Sequence, residues 1–338
     1  MRARLAIVSL LLVVCALFPP ALARAFPLQD IGTQDVRAAD DLFMVYVEKK
    51  DTRHLLASVS PDGTHWSSDL WLAGKSTKYA PAAAVFNGKI YVAYVANDSS
   101  NQLFVTFSED GVHWSDDINV GGHTSQCSPA LVVFQGKLRL VYVANDSSKQ
   151  LLVTSSSDGY NWSGDVRVNS HTSKRAPAAA VFNDRLYVAY IANDSSNQIF
   201  VTSSTDARNW SSDIVVNHSS KYAPALTVFN GKLRIVYVAN DTSNQLLMTS
   251  SSSGTSWSGD TRVDDHKSKA APAVAVFNNK LHVAYVANDD TGNLLVTTTS
   301  DGSHWSGDAR VRHTTDFAPA LAAWSTVRLY TYLPLNSR

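Results

Sequence analysis

Glutamate is all but missing from this 338-residue chain, which has only Glu48 and Glu109. Cysteine occurs twice and methionine three times, against 13 tyrosines and 8 tryptophans. With helix formers scarce and Val, Thr, Tyr, Ser and Asn abundant, the composition argues for strands and turns rather than helices. Charge of one sign is lacking too: 29 Lys and Arg balance 29 Asp and Glu, a formal net charge of +0. That leaves no basic field for a nucleic-acid partner and no acidic tail.

One long hydrophobic run exists, and it stands at the N-terminus. In "MRARLAIVSLLLVVCALFPPALARA", Arg2 and Arg4 precede an apolar stretch from Leu5 to Phe18, and Ala21-Leu22-Ala23 or Ala23-Arg24-Ala25 offers small residues for cleavage. The run is too short to span a bilayer comfortably and reads as an export leader over residues 1–25. Residues 26–338 are then a single secreted domain, extracellular or periplasmic, with no membrane insertion after cleavage. Cys127 would be its only thiol, which excludes an internal disulfide and leaves stability to packing and topology.

What the chain has in quantity is repetition. "YVAYVANDSSNQLFVTFS" from Tyr91 returns as close variants around Tyr142, Tyr190, Tyr237 and Tyr285. The tyrosines Tyr46, Tyr94, Tyr142, Tyr190, Tyr237 and Tyr285 are spaced by 48, 48, 48, 47 and 48 residues, and Trp66, Trp114, Trp162, Trp210, Trp257 and Trp305 keep the same steps. One unit, "HTSKRAPAAAVFNDRLYVAYIANDSSNQIFVTSSTDARNWSSDIVV" from His171, breaks into four strand-length apolar runs separated by Asn, Asp and Gly turn chemistry. Four antiparallel strands per period predict an all-β fold, a β-propeller of four-stranded blades. Six tryptophans argue for six blades. The terminal "FAPALAAWSTVRLYTY" restarts the unit; its first strand would complete the N-terminal blade, and a surplus second strand leaves seven open. Pro81, Pro129, Pro177, Pro224, Pro272 and Pro319 open the first strands, where proline is tolerated.

The tryptophans end short motifs: "SPDGTHW", "SEDGVHW", "SSDGYNW" and "TSDGSHW", with two degraded copies in which Ala207 replaces glycine and Ser253 replaces aspartate. These resemble the Asp-box of the sialidase superfamily, one residue shorter between aspartate and tryptophan. The whole unit is similar to bacterial propeller lectins, a resemblance that covers nearly all of the chain after the leader. It implies a structural turn between third and fourth strands, built on Asp62, Trp66, Asp110, Trp114, Asp158, Trp162, Asp206, Trp210, Trp257, Asp301 and Trp305. Physics agrees, since aspartate accepts turn amides and glycine permits the turn. Sialidase chemistry would need an arginine cluster, a Tyr–Glu nucleophile pair and an acid aspartate. The Arg-Ile-Pro motif is missing, and Arg139, Arg185, Arg234 and Arg328 recur near second-strand starts as structural positions would. No asymmetric catalytic constellation stands out.

Turns of a meander alternate between two ends of a blade. The "ANDSSN" turns therefore share a face with the inter-blade links that begin at His123, His171, His218, His266 and His313. That face carries Asn97, Asp98, Asn145, Asp146, Asn193, Asp194, Asn240, Asp241, Asn288 and Asp289, together with Lys174 and Lys221. Amides and carboxylates can grip vicinal hydroxyls, and repeated weak sites on a ring give avidity. Against this, Asn-Asp is good turn chemistry by itself, and a link histidine can bond a neighbouring blade's backbone. Blade one departs, with Lys75 in place of histidine. Equivalent residues on adjacent blades stand roughly 10 Å apart, too far for a shared ion, so neither metal nor cofactor is expected. The expectation is a non-catalytic, multivalent, lectin-like protein with glycans as partners. The alternatives are an exported scaffold for a protein partner and a divergent sialidase-like glycoside hydrolase.

Overall fold

The computed structural model describes residues 35–330, so the leader expected over residues 1–25 lies outside the described residues. Ala38–Arg328 form one compact unit. It is built of six four-stranded antiparallel sheets, the blades of a propeller, with no helix among the described residues. Blade 3 is typical: strands Ala130–Phe134, Lys137–Val143, Gln150–Ser156 and Val166–Thr172 pair in that order. Blades 2, 4, 5 and 6 follow the same plan over residues 82–124, 178–219, 225–267 and 273–314. Blade 1 takes its inner strand, Ala320–Tyr330, from the end of the chain and adds Asp35–Val47, His54–Ser60 and Leu70–Ser76. The expected surplus strand is instead a continuation of that single inner strand, and there are six blades.

Local chemistry explains each unit. The first hairpin closes on two residues that both lie in the left-handed region, Asn87 at φ 50° and Gly88 at φ 76°, the signature of a type I′ turn. The second strand is buried on both faces, as Ile90 to Val95 show, because both neighbouring blades cover it. First strands of adjacent blades touch around the axis, where small residues such as Ala82, Ala83 and Ala84 allow close approach. Between third and fourth strands the Asp-Gly turn is held by its own side chains. Asp62 Oδ1 accepts the amides of Thr64 and His65 at 2.7 and 2.8 Å, and Ser60 Oγ accepts the Gly63 amide at 2.8 Å. Asp110, Asp158, Asp206 and Asp301 repeat this, and Ser253 does it weakly at 3.2 and 3.3 Å. The six tryptophans pack into the cores that fill the seams between blades.

Candidate functional site

Five of the six seams are tied by the same three groups, a tyrosine, an aspartate and a histidine. In the seam between blades 3 and 4, Tyr190 of the second strand donates its hydroxyl to Asp213 Oδ1, and His171 of the preceding blade meets the same oxygen with Nδ1 at 2.6 Å. His171 Nε2 donates to the Ser211 carbonyl at 2.9 Å, and the imidazole lies 5.7 Å from the Tyr190 ring. Both ring nitrogens can donate at once only as the imidazolium. The pattern recurs as His123–Asp165 at 3.2 Å, His218–Asp260 at 3.0 Å, His266–Asp308 at 2.8 Å and His313–Asp69 at 2.5 Å. In the seam between blades 1 and 2, Lys75 takes the histidine's place and reaches Asp117 at 2.9 Å.

The electrostatics follow from those bonds. His123 is held above the usual imidazole range by its bond to Asp165. For His171 and His266 burial pulls downward, but Asp213 and Asp308 outweigh it and the values rise. Asp165, Asp213 and Asp308 are likewise raised by burial yet end below the carboxylate range, because histidine and tyrosine donate to them. These three seams are charge-assisted latches.

The latch leaves one side open. All of these contacts fall on Oδ1 of the aspartate, and the aspartate side chains keep 34% to 49% of their surface exposed at the outer rim. Two residues further on, inside the fourth strand that each aspartate precedes, stand Trp71, Asn119, Arg167, Val215, Arg262 and Arg310, all exposed. Directly across from these lie Leu56, Phe104, Leu152, Phe200, Leu247 and Leu295, partly exposed. Each rim therefore offers a fixed carboxylate oxygen, a variable side chain and an apolar shelf.

The residues expected from the sequence lie elsewhere in this scheme. His123, His171, His218, His266 and His313 are the latches themselves, with side chains only 4% to 14% exposed. Asp98, Asp146, Asp194, Asp241 and Asp289 accept the amide two residues on in their own turns, at 2.8 to 2.9 Å. Asn145, Asn240 and Asn288 accept from Asn101, Asn197 and Asn244 of the preceding blade, and Asn97 donates to the Thr52 carbonyl. Lys174 donates to the Asp194 carbonyl, and Lys221 to Asn244 Oδ1 at 2.6 Å. Asn193 shares the exposed turn without such a bridge. The face is a belt of mutual hydrogen bonds. Desolvation pushes the Cys127 thiol up to about 12, which makes it a poor nucleophile.

The rim aspartates Asp69, Asp117, Asp165, Asp213, Asp260 and Asp308 escaped the sequence reading, although a signal was there. All six tryptophans are followed by Ser-x-Asp, including the fifth copy, where the turn aspartate itself has been lost to Ser253. Of the arginines expected near second-strand starts, Arg139, Arg185 and Arg234 stand there, whereas Arg328 lies on the inner strand of blade 1. Arg139 and Arg234 share one register position, opposite Ser155 and Ser250, whereas Arg185 lies two residues earlier on its strand, opposite Phe182.

No protein-family model and no curated protein sequence matches the chain. Solved structures do match. A mutant of the Aleuria aurantia lectin in complex with Fucα1-6GlcNAc aligns over 83% of this chain and 96% of its own, with 17% identity and a TM-score of 0.61. The α-L-arabinanase of Penicillium chrysogenum, complexed with arabinobiose, aligns over 77% of this chain and 89% of its own, with 16% identity and a TM-score of 0.59. A six-bladed β-propeller fold is what the lectin and this chain have in common.

Proposed function

We propose that this chain is an exported, non-catalytic carbohydrate-binding propeller whose saccharide sites are the seam rims. The observation that carries the reading is the rim carboxylate. It is held in one pose by a tyrosine and a neighbouring-blade histidine or lysine, with its second oxygen outside those contacts, and the arrangement is repeated in all six seams. A fixed carboxylate accepts sugar hydroxyls through charge-assisted bonds, and the adjoining Leu or Phe covers an apolar sugar face. Several weak sites on one rigid ring add up through avidity.

The lectin and the arabinanase both act on sugars, so the fold alone is compatible with binding and with cleavage. Repetition favours binding, because a glycosidase needs one pair of carboxylates in distinct roles and the rims are alike. The test is a glycan array with the chain from Phe26, followed by calorimetric stoichiometry on any hit. Several sugars per chain, reduced in number by Arg167→Ala, Arg262→Ala and Arg310→Ala together, is the expected result. An array without hits, or a stoichiometry indifferent to the rim substitutions, would overturn it.

A further inference from the structure

On the Asp-Gly turn side, the seam between blades 3 and 4 is unlike the others. In five of the six seams a second-strand side chain points at the turn of the following blade, and between blades 1 and 2 Trp324 of the inner strand takes that place. Where that side chain is tyrosine its ring fills the gap: a β-carbon on Gly159 would stand 2.5 Å from Tyr91, and one on Gly254 2.3 Å from Tyr187. Between blades 3 and 4 the pair is Arg139 and Ala207, and a cleft of about 700 Å³ opens between them. Lys137, Arg139 and Arg208 line it, together with Ser155, Asp165 and Asp206.

The cations in this cleft have no partners of their own. Among the described residues, none of the three side chains makes an ion pair or hydrogen bond, and Arg139 Nε is fully desolvated. The guanidinium rests 6.0 Å above the Phe134 ring. Burial, and then the like charge of Arg208, push Arg139 downward against a partial opposing pull from Asp206. The nearby carboxylates are committed: Asp206 accepts the amides of Arg208 and Asn209 and the Asn209 side chain, each at 2.8 Å. Asp165 gives its Oδ1 to Tyr142 and His123 and makes no ion pair with any of the three cations. A half-buried guanidinium with a desolvated Nε and no counter-ion is an unfavourable state that an incoming anion would relieve.

We propose that this cleft binds the carboxylate of an acidic saccharide, with Arg139 as its planar two-pronged partner and Lys137 and Arg208 beside it. A guanidinium fork matches a carboxylate, and the cleft volume lies within the ordinary range for small-ligand sites. The Ser155 hydroxyl on the wall serves the sugar's own hydroxyls. The site differs in kind from the rims, which present acceptors, and it stands whether or not the rims bind neutral sugar. The seam between blades 5 and 6 carries the same desolvated Nε on Arg234, but there Ser303 replaces Arg208 and Gly302 lies against the guanidinium, 3.2 Å from where its β-carbon would be. It would be the weaker copy.

The experiment is calorimetric titration of the full mature chain with trigalacturonate, with its methyl ester and with sodium sulfate. Two variants accompany it: Arg139→Gln, and the double variant Arg139→Tyr with Ala207→Gly. The double variant copies the Tyr–Gly pair that the chain already packs in two other seams, and a thermal melt checks its folding. The expected result is binding of the acid but not the ester, weakened at least about tenfold in both variants. Equal binding of acid and ester, unchanged affinity in the folded variants, sulfate binding as tightly as the acid, or no binding of the acid would each overturn the proposal.

Discussion

Gly159 of blade 3 lies against the Tyr91 ring of blade 2 so closely that a β-carbon there would meet the ring at 2.5 Å. The glycine of the turn is therefore fixed twice, by its φ of 81° and by the neighbouring blade. Ala207 holds the same turn position at φ 57° and is tolerated because Arg139 leaves the space a tyrosine would fill. Gly159→Ala is expected to destabilise by more than the roughly 1 kcal/mol that left-handed backbone alone costs. Ala207→Gly trades that backbone cost against the greater freedom of glycine in the unfolded chain, so it should be nearly neutral. Denaturant unfolding of the two variants checks the contrast, and equal effects would refute it.

The latches make stability depend on pH in a stated direction. Raised imidazole values at His123, His171 and His266 contribute stability that is complete below the ordinary value of about 6.5 and is lost as pH rises through the folded-state values. Lowered carboxylate values at Asp165, Asp213 and Asp308 contribute stability that is complete above about 3.9 and is lost as pH falls through the folded-state values. The melting temperature should therefore be highest between about pH 4 and 6.5 as far as these groups decide it. A scan of Tm against pH, with no fall above neutrality, would contradict the imidazolium assignment.

Lys75 gives that argument an internal control. Its ammonium ties Asp117 in the seam where the other blades use histidine. Lys75→His should convert this seam to the common form and steepen the decline of Tm above neutral pH relative to the unaltered chain. His171→Ala should instead remove one latch, leaving Asp213 with the Tyr190 bond alone. The expected loss is about 1–3 kcal/mol, mostly from a half-buried carboxylate deprived of its cation. Parallel pH profiles for Lys75→His and the unaltered chain would count against the latch.

How much of this the sequence revealed depends on whether partners share a repeat. Strand lengths, turns and blade number are local properties of one 48-residue unit, so the Tyr46 and Trp66 ladders made them legible. The latch is not local. His171 and Asp213 belong to different blades, and only the closed ring brings them to 2.6 Å. The bond of the link histidine to a neighbouring blade's backbone was foreseeable and is present, as His171 to the Ser211 carbonyl, while the aspartate that completes the latch went unnoticed inside a turn motif. The cleft at Arg139 was hidden for the same reason, since its opposite wall, Asp206 to Arg208, belongs to the following blade. Duplication shows which residues recur, but not across which seam they act.

Closure of the ring rests on Trp324. It sits on the inner strand of blade 1, only 2% exposed, and its Nε1 donates to the Gly88 carbonyl of blade 2 at 2.9 Å. Its ring also meets Phe43 edge-on with centroids 6.4 Å apart, and a β-carbon on Gly111 would stand 3.1 Å from it. It thus fastens the one strand supplied from the far end of the chain to the neighbouring blade. Trp324→Ala removes a large buried side chain and a hydrogen bond, which should cost about 3–5 kcal/mol. The loss should not be spread evenly. Amide hydrogen exchange should rise first in Phe43–Val47 and His54–Ser60, which lose the support of the inner strand, while blades 3 to 5 keep their protection. Exchange accelerated equally in all six blades would mean that the ring opens as one unit and that Trp324 is no local clasp.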